Sequence, residues 1–208
     1  MIAAVYAQGD TIIRNAAKEP EIVDLQHFLQ KIGAKVSGAG SSVIRIRGFE
    51  KKFNNVEHTV IPDRIITGTY MVASAITGGN LIIKDIIPEH IISIASVLRD
   101  IGCQINIKRN DIQVISGSKL EAVEVIRTLP YPGFPTDMQA QIMALLTLCK
   151  GTSIIIETIF ESRYKHVDEL LKMGANIRID GRMAVVKGVS RLNGAQVTAR
   201  DLRGGAAL

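Results

Sequence analysis

The sequence predicts an α/β fold assembled by repetition. Three observations carry this. One pattern recurs from Gly9, Gly79 and Gly151. Within each copy a β-branched run gives way to apolar residues at helical spacing, and then to an apolar alternation. Each helical stretch ends on a glycine, Gly33, Gly102 or Gly174, and these lie 69 and 72 residues apart. Self-similarity at a fixed period marks units that bury their faces against neighbours.

Taken in order, Ile12-Ile13, Leu81-Ile82-Ile83 and Ile154-Ile155-Ile156 are bulky runs bounded by glycine and open each copy as a strand. Ile22, Leu25, Leu29 and Ile32 share one helix face, as do Ile91, Ile94, Leu98 and Ile101; Val167, Leu170 and Leu171 repeat it. Pro20 and Pro88 suit a first helical turn, where the missing N–H has no intrahelical acceptor. The three glycines suit the left-handed position after a last turn. Strand pairs follow at Lys35–Ser37 with Val43–Ile46, Gln104–Lys108 with Ile112–Ile115, and Asn176–Ile179 with Met183–Val186. Gly38-Ala39-Gly40, Arg109-Asn110-Asp111 and Asp180-Gly181-Arg182 are the turns between them. A second helix precedes copies two and three, at Thr67–Ile76 and Asp137–Cys149, with only Ile2–Ala7 before copy one. Another such helix begins at Asp201–Leu208, so the array reads as cut at both ends and the chain as an internal fragment.

Composition narrows the function classes. With 47% hydrophobic residues over 208 positions, the chain can bury a core, which excludes wholesale disorder. Eighteen glycines and six prolines without a short period exclude collagen-like and mucin-like classes. No apolar run reaches the ~20 residues that span a bilayer; Ile142–Cys149 is interrupted by Thr147. The first residues lack the basic and apolar regions of a signal peptide. Two cysteines, Cys103 and Cys149, make neither a disulfide scaffold nor a metal set, which fits a reduced, cytoplasmic protein. The net charge of +5 suits nucleic acid and small anions such as phosphates and carboxylates equally, while 4% aromatics without Trp speak weakly against base-stacking.

The sharpest local signal is Tyr131-Pro-Gly-Phe-Pro-Thr-Asp-Met-Gln-Ala-Gln141. Two prolines and a glycine stiffen a loop that sets a carboxylate at a helix start. This stretch closely resembles the corresponding loop of the UDP-N-acetylglucosamine enolpyruvyl transferases (1-carboxyvinyltransferases) of peptidoglycan synthesis. The likeness continues through Asn15–Ile22, Pro62–Gly68, Glu161–His166, Lys172–Ala175 and Gly194–Arg203, and so covers essentially the whole chain.

The resemblance implies an inside-out α/β barrel fold built from βαβαββ units, three to a domain, with the active site between two domains. Residues 1–61 would be the last unit of the first domain and 62–208 most of the second. It also implies transfer of the enolpyruvyl group from phosphoenolpyruvate to the 3′-hydroxyl of UDP-N-acetylglucosamine, with release of phosphate and no metal or organic cofactor. That reaction is the first committed step of peptidoglycan synthesis, and neither nucleic acid nor membrane is a partner. Carried across residue by residue, Asp137 matches the general base, Arg163 and Arg203 match the arginines that hold the enolpyruvyl carboxylate, and Ile159 matches a position whose backbone meets the UDP-sugar. The family's N-terminal Lys-Asn pair, its mobile loop with Cys or Asp, its Arg-Pro-Val-Asp-Leu segment and its late C-terminal arginine have no counterpart here. The fragment alone is therefore expected to be inactive, other chain segments being needed to complete the site.

Each of these residues also has a plainer reading. Thr136 or Asp137 can cap the following helix. Arg163 can be a solvated first-turn residue, although a cation there opposes the helix dipole unless an anion binds. Arg203 can belong to a surface ion pair. Gly38-Ala39-Gly40 opens no helix and is a hairpin turn rather than a dinucleotide fingerprint. His27, His58, His90 and His166 lack metal-ligand spacing, and His166 reads as structural or as a surface residue. Arg45, Arg47, Lys51 and Lys52, interleaved with Phe49 and Phe53, read as a solvated basic face. Asp63-Arg64, at the expected boundary, could form an ion pair. The alternative class is a non-catalytic basic repeat module that binds anionic ligands or a protein partner.

Overall fold

The computed structural model describes residues 1–48 and 54–208, so Lys51, Lys52, Phe49 and Phe53 of the basic cluster lie outside the described residues. Backbone contacts divide the chain into two compact units, Met1–Ile61 with Pro130–Pro132, and Pro62–Leu129 with Gly133–Leu208.

The first unit comprises α1 (Ile2–Val5), β1 (Asp10–Arg14), α2 (Pro20–Lys31), β2 (Lys35–Ser37) and β3 (Val43–Arg47). Pro20 occupies the first turn of α2, where its missing donor costs nothing. The sheet order is β1-β3-β2, antiparallel throughout. Alternation along β3 turns Ile44 and Ile46 inward beside Val36, Leu29, Ala34 and Val5. Burying such a side chain fully contributes ~1.5–3 kcal/mol. Gly38 enters the β2–β3 turn at φ +91°, where an added Cβ would lie 2.1 Å from the Val43 carbonyl oxygen.

The second unit runs α3 (Arg64–Ile76), β4 (Asn80–Ile83), α4 (Ile92–Ile101), β5 (Gln104–Lys108), β6 (Asp111–Ile115), β7 (Val125–Arg127), α5 (Gln139–Leu146), β8 (Thr152–Ile156), α6 (Val167–Lys172), β9 (Asn176–Asp180), β10 (Met183–Lys187) and α7 (Leu202–Ala207). Its sheets are ordered β4-β6-β5 and β7-β8-β10-β9. The order first-third-second thus recurs in all three copies, with the same closing hydrogen bonds. Gly48, Ser116 and Gly188 donate to the carbonyls of Gly9, Gly79 and Gly151 at 2.8, 2.9 and 3.0 Å. Ala34, Cys103 and Ala175 donate back to Leu29, Leu98 and Leu170 at 2.9, 2.9 and 3.0 Å. Those last bonds close each helix across Gly33, Gly102 and Gly174, whose φ angles are +103°, +111° and +92°.

Several local expectations are corrected. Helix α3 begins three residues before Thr67, because Asp63 Oδ1 accepts the Ile65 and Ile66 amides at 2.8 and 3.0 Å. The Asp63 carboxylate is therefore a helix cap. Pro88 lies in a 3-10 turn, Pro88–His90, ahead of α4. The helix expected over Asp137–Cys149 is a 3-10 turn at Thr136–Met138 followed by α5. Strand β7 was not anticipated. It pairs in parallel with β8, Ile126 opposite Ile155, and α5 forms the crossover. The succession β7-α5-β8-α6-β9-β10 is therefore one complete βαβαββ unit.

Every residue of α5 is buried. It packs against α3, β8, β10 and α7, so the turn at its head is held from several sides. Among the described residues no helix is long and apolar enough to cross a membrane.

Candidate functional site

Asp137 sits in the 3-10 turn at the head of α5. The loop before it is closed by the Leu129 amide donating to the Phe134 carbonyl at 2.9 Å. Among the described residues no side chain caps α5 or this turn, so the capping reading of Thr136 and Asp137 does not hold. The reason is that both side chains have other partners. Thr136 Oγ1 donates to Glu157 at 2.8 Å. Asp137 Oδ1 accepts from Arg163 at 2.5 Å and its Oδ2 accepts from Arg203 at 3.1 Å.

Arg163 comes from the connection between β8 and α6. Helix α6 starts only at Val167, so Arg163 is a loop residue and no helix dipole opposes it. Its guanidinium carbon stacks 4.8 Å from the centre of the Phe160 ring. The next residue, Tyr164, is buried and points its hydroxyl at the Arg182 and Ile155 carbonyls, 3.0 and 3.2 Å away. The start of the connection is held by Glu157, only 1% exposed, whose Oε1 accepts the Ile159 and Phe160 amides at 2.8 and 3.2 Å. The Ile159 N–H is therefore occupied, and what its backbone offers a ligand is the carbonyl.

Arg203 lies in the first turn of α7, capped by Asp201, whose Oδ1 accepts the Gly204 amide at 2.7 Å. Asp201 and Asp137 offset the opposition between this cation and the helix dipole. The segment leading to α7 is clipped to α6 by the fully buried Glu169. Its Oε2 accepts from Lys172 at 2.7 Å and from the Thr198 amide at 3.1 Å, while Arg200 lies 3.6 Å from Oε1. The Lys172 ammonium, first among these partners, holds the Glu169 carboxyl below the ordinary carboxylate range.

Asp137, Ile159, Arg163 and Arg203 thus line one cleft of about 810 Å³, together with Phe160, Glu161, Ser162, Lys165, Arg182, Asp201 and Leu202. Asp137 and the two arginines are 36%, 22% and 25% exposed, partly dry yet open to a ligand. Each guanidinium gives Asp137 one terminal nitrogen, and the remaining donors of its fork suit a planar carboxylate.

His166, just before α6, is 3% exposed. Burial lowers it to about 4, with the Arg163 charge adding to that and Asp201 opposing it, so it is neutral at pH 7. Its Cβ lies where a side chain at Gly204 would fall, 3.0 Å away, which fits the structural reading. Cys103 and Cys149 are both buried, and burial pushes Cys149 up to about 12, so neither has the character of a reactive thiol. The sequence reading missed Glu157 and Glu169. Glu-Thr-Ile-Phe-Glu ahead of Arg163 contains two carboxylates, and nothing local says which one turns inward.

The profile of the EPSP synthase (3-phosphoshikimate 1-carboxyvinyltransferase) family matches residues 1–208. The chain belongs to this family. UDP-N-acetylglucosamine 1-carboxyvinyltransferase 1 of Caldanaerobacter subterraneus subsp. tengcongensis is 56% identical over 208 residues, covering all of this chain and 50% of that protein. UDP-N-acetylglucosamine 1-carboxyvinyltransferase of Halothermothrix orenii is 52% identical, with coverage of 100% and 49%. The chain spans about half the length of the curated relatives it matches. In fold, it superposes on the enolpyruvyl transferase NikO from Streptomyces tendae with a TM-score of 0.82 at 24% identity, over 98% of this chain and 49% of that one. EPSP synthase from Acinetobacter baumannii gives 0.68 at 17% identity, over 99% and 50%. The fold is the one expected, the inside-out α/β type of the enolpyruvyl transferases, present here in part.

Proposed function

We propose that the chain is part of an enolpyruvyl transferase acting on phosphoenolpyruvate and UDP-N-acetylglucosamine. The observation that carries this is the placement of Asp137 between Arg163 and Arg203 in one cleft of a family member. Relatives of 52–56% identity bear the narrower name.

In this reading Arg163 and Arg203 grip the carboxylate of phosphoenolpyruvate with the donors that Asp137 leaves free. Asp137 accepts the proton of the sugar 3′-hydroxyl as its oxygen bonds to the enol carbon. The Ile159 carbonyl accepts from the UDP-sugar. The methylene carbon gains a proton in the addition, and loss of phosphate and a proton restores the double bond. The donor of that first proton lies outside these residues. Residues 1–61 form the last unit of a first domain, and 62–208 most of a second. The 208 residues alone do not turn over.

Phosphate release and enolpyruvyl-sugar formation, followed with both substrates, test this. A full-length protein containing this sequence is expected to release phosphate only when both substrates are present, and the 208-residue chain is expected to release none. Release with shikimate 3-phosphate but not with the UDP-sugar would overturn the substrate assignment. Sustained release by the 208-residue chain would overturn the need for further segments.

A further inference from the structure

Asp137 and Arg163 reside on two segments far apart in sequence, 128–138 and 157–163, while Arg203 comes from a third. Glu157 joins the first two. Its Oε1 accepts from Thr128 Oγ1 at 2.8 Å and from the Ile159 and Phe160 amides. Its Oε2 accepts from Thr136 Oγ1 at 2.8 Å. All four donors are neutral, and the carboxylate is 1% exposed. The same two segments are sewn together once more, by the Thr158 hydroxyl on the Thr128 carbonyl at 2.6 Å and the Thr158 amide on Thr128 Oγ1 at 2.9 Å.

A carboxylate buried among neutral donors gives up its hydration and depends on directed hydrogen bonds to replace it. An apolar side chain would close the same space without them. The second copy does so, with Ile86 donating its amide to the hairpin-turn carbonyl of Asn110, as Glu157 does to Arg182. What the carboxylate adds is direction. Through Thr136 it holds the turn that carries Asp137. Through the Phe160 amide it holds the ring on which Arg163 stacks.

We propose that Glu157 is a positioning residue for the transfer reaction, acting through Thr136 on Asp137 and through Phe160 on Arg163. The proposal rests on the function assigned above. Thr136→Val removes the Oε2 link and keeps the side-chain shape and the three bonds on Oε1, while Thr136→Ser keeps the hydroxyl. In the full-length protein Thr136→Val is expected to lower kcat about ten- to a hundredfold, with KM for both substrates nearly unchanged, since small displacements of a reacting group cost rate. Thr136→Ser is expected to restore kcat. A Thr136→Val variant that melts earlier yet keeps its kcat would overturn the proposal and leave Glu157 a purely structural residue.

A second readout does not depend on the reaction. With 15N-labelled arginine, the Arg163 side-chain resonance is expected to move in Thr136→Val and to return in Thr136→Ser. An unmoved resonance would overturn the positioning role. If the unmodified full-length protein transferred no enolpyruvyl group, the assigned function would fall, and the arginine signal would still decide whether Glu157 sets the Asp137–Arg163 pair.

Discussion

Copies two and three share a frame but close it differently. In copy two the connection from β4 to α4 is filled by Ile86 and Ile91, both fully buried. In copy three the connection from β8 to α6 places Glu157 near the first of these positions and His166 at the second, each immediately comparable in its place before the helix. The isoleucines seal the end of the unit. The polar pair leaves backbone and side chains turned toward an open cleft, and that cleft holds Asp137, Arg163 and Arg203. A site arises here by exchanging apolar closure for directional bonding inside an unchanged sheet order.

The largest effect expected from breaking this contrast is on chemistry. Asp137→Ala in the full-length protein should lower kcat about a hundred- to ten-thousandfold, the usual weight of a general base. Circular dichroism should show the fold intact. Near-normal turnover would remove Asp137 from the mechanism.

Next comes acid sensitivity. His166 holds a proton less readily when folded, at about 4, than at its ordinary value of 6.5. The unfolded chain therefore gains protons first as the pH falls, and stability present in full above 6.5 is lost down to about 4. The difference is on the order of 3 kcal/mol. His166→Ile copies Ile91 and should abolish that part of the loss, seen as a smaller fall in Tm between pH 7 and pH 4. Glu169, held low in the folded state, adds its own loss as the pH drops below the ordinary carboxylate range. It is present in both proteins, so their difference isolates His166.

Packing supplies a third contrast. A Cβ on Gly188 would fall 1.7 Å from the Cys149 carbonyl oxygen, whereas copy two carries Ser116 at the equivalent place. Gly188→Ala should cost ~1–3 kcal/mol, read as a lower Tm, whereas Ser116→Ala adds no clash and should cost only about 1 kcal/mol, for the hydroxyl's bond to the Ala75 carbonyl at 2.8 Å. The smallest effect is expected from Arg203→Lys, which keeps the charge and loses the fork. About a tenfold rise in KM for phosphoenolpyruvate would fit the clamp, and unchanged kinetics would count against it.

Much of the frame was legible without coordinates. Bulky runs bounded by glycine became β1, β4 and β8, and Gly33, Gly102 and Gly174 took the left-handed conformation expected after a last turn. Strand β7 was missed because it is three residues long with a single buried side chain, Ile126, and its partner lies beyond a helix. Glu157 was missed because all its partners but two neighbouring amides come from a distant segment. The cap assigned to Asp137 failed because ion pairing claimed the carboxylate.

The sequence by itself determined the repeat, the strand and helix pattern within each copy and the left-handed glycines, since burial period and backbone freedom are written in a few consecutive residues. Through family resemblance it also named Asp137, Arg163 and Arg203. Only the tertiary structure decided that these side chains meet. Asp137 is 26 residues from Arg163 and 66 from Arg203. Their approach depends on sheet order, on the all-round burial of α5 and on the buried carboxylates of Glu157 and Glu169, which act between segments that no local pattern connects.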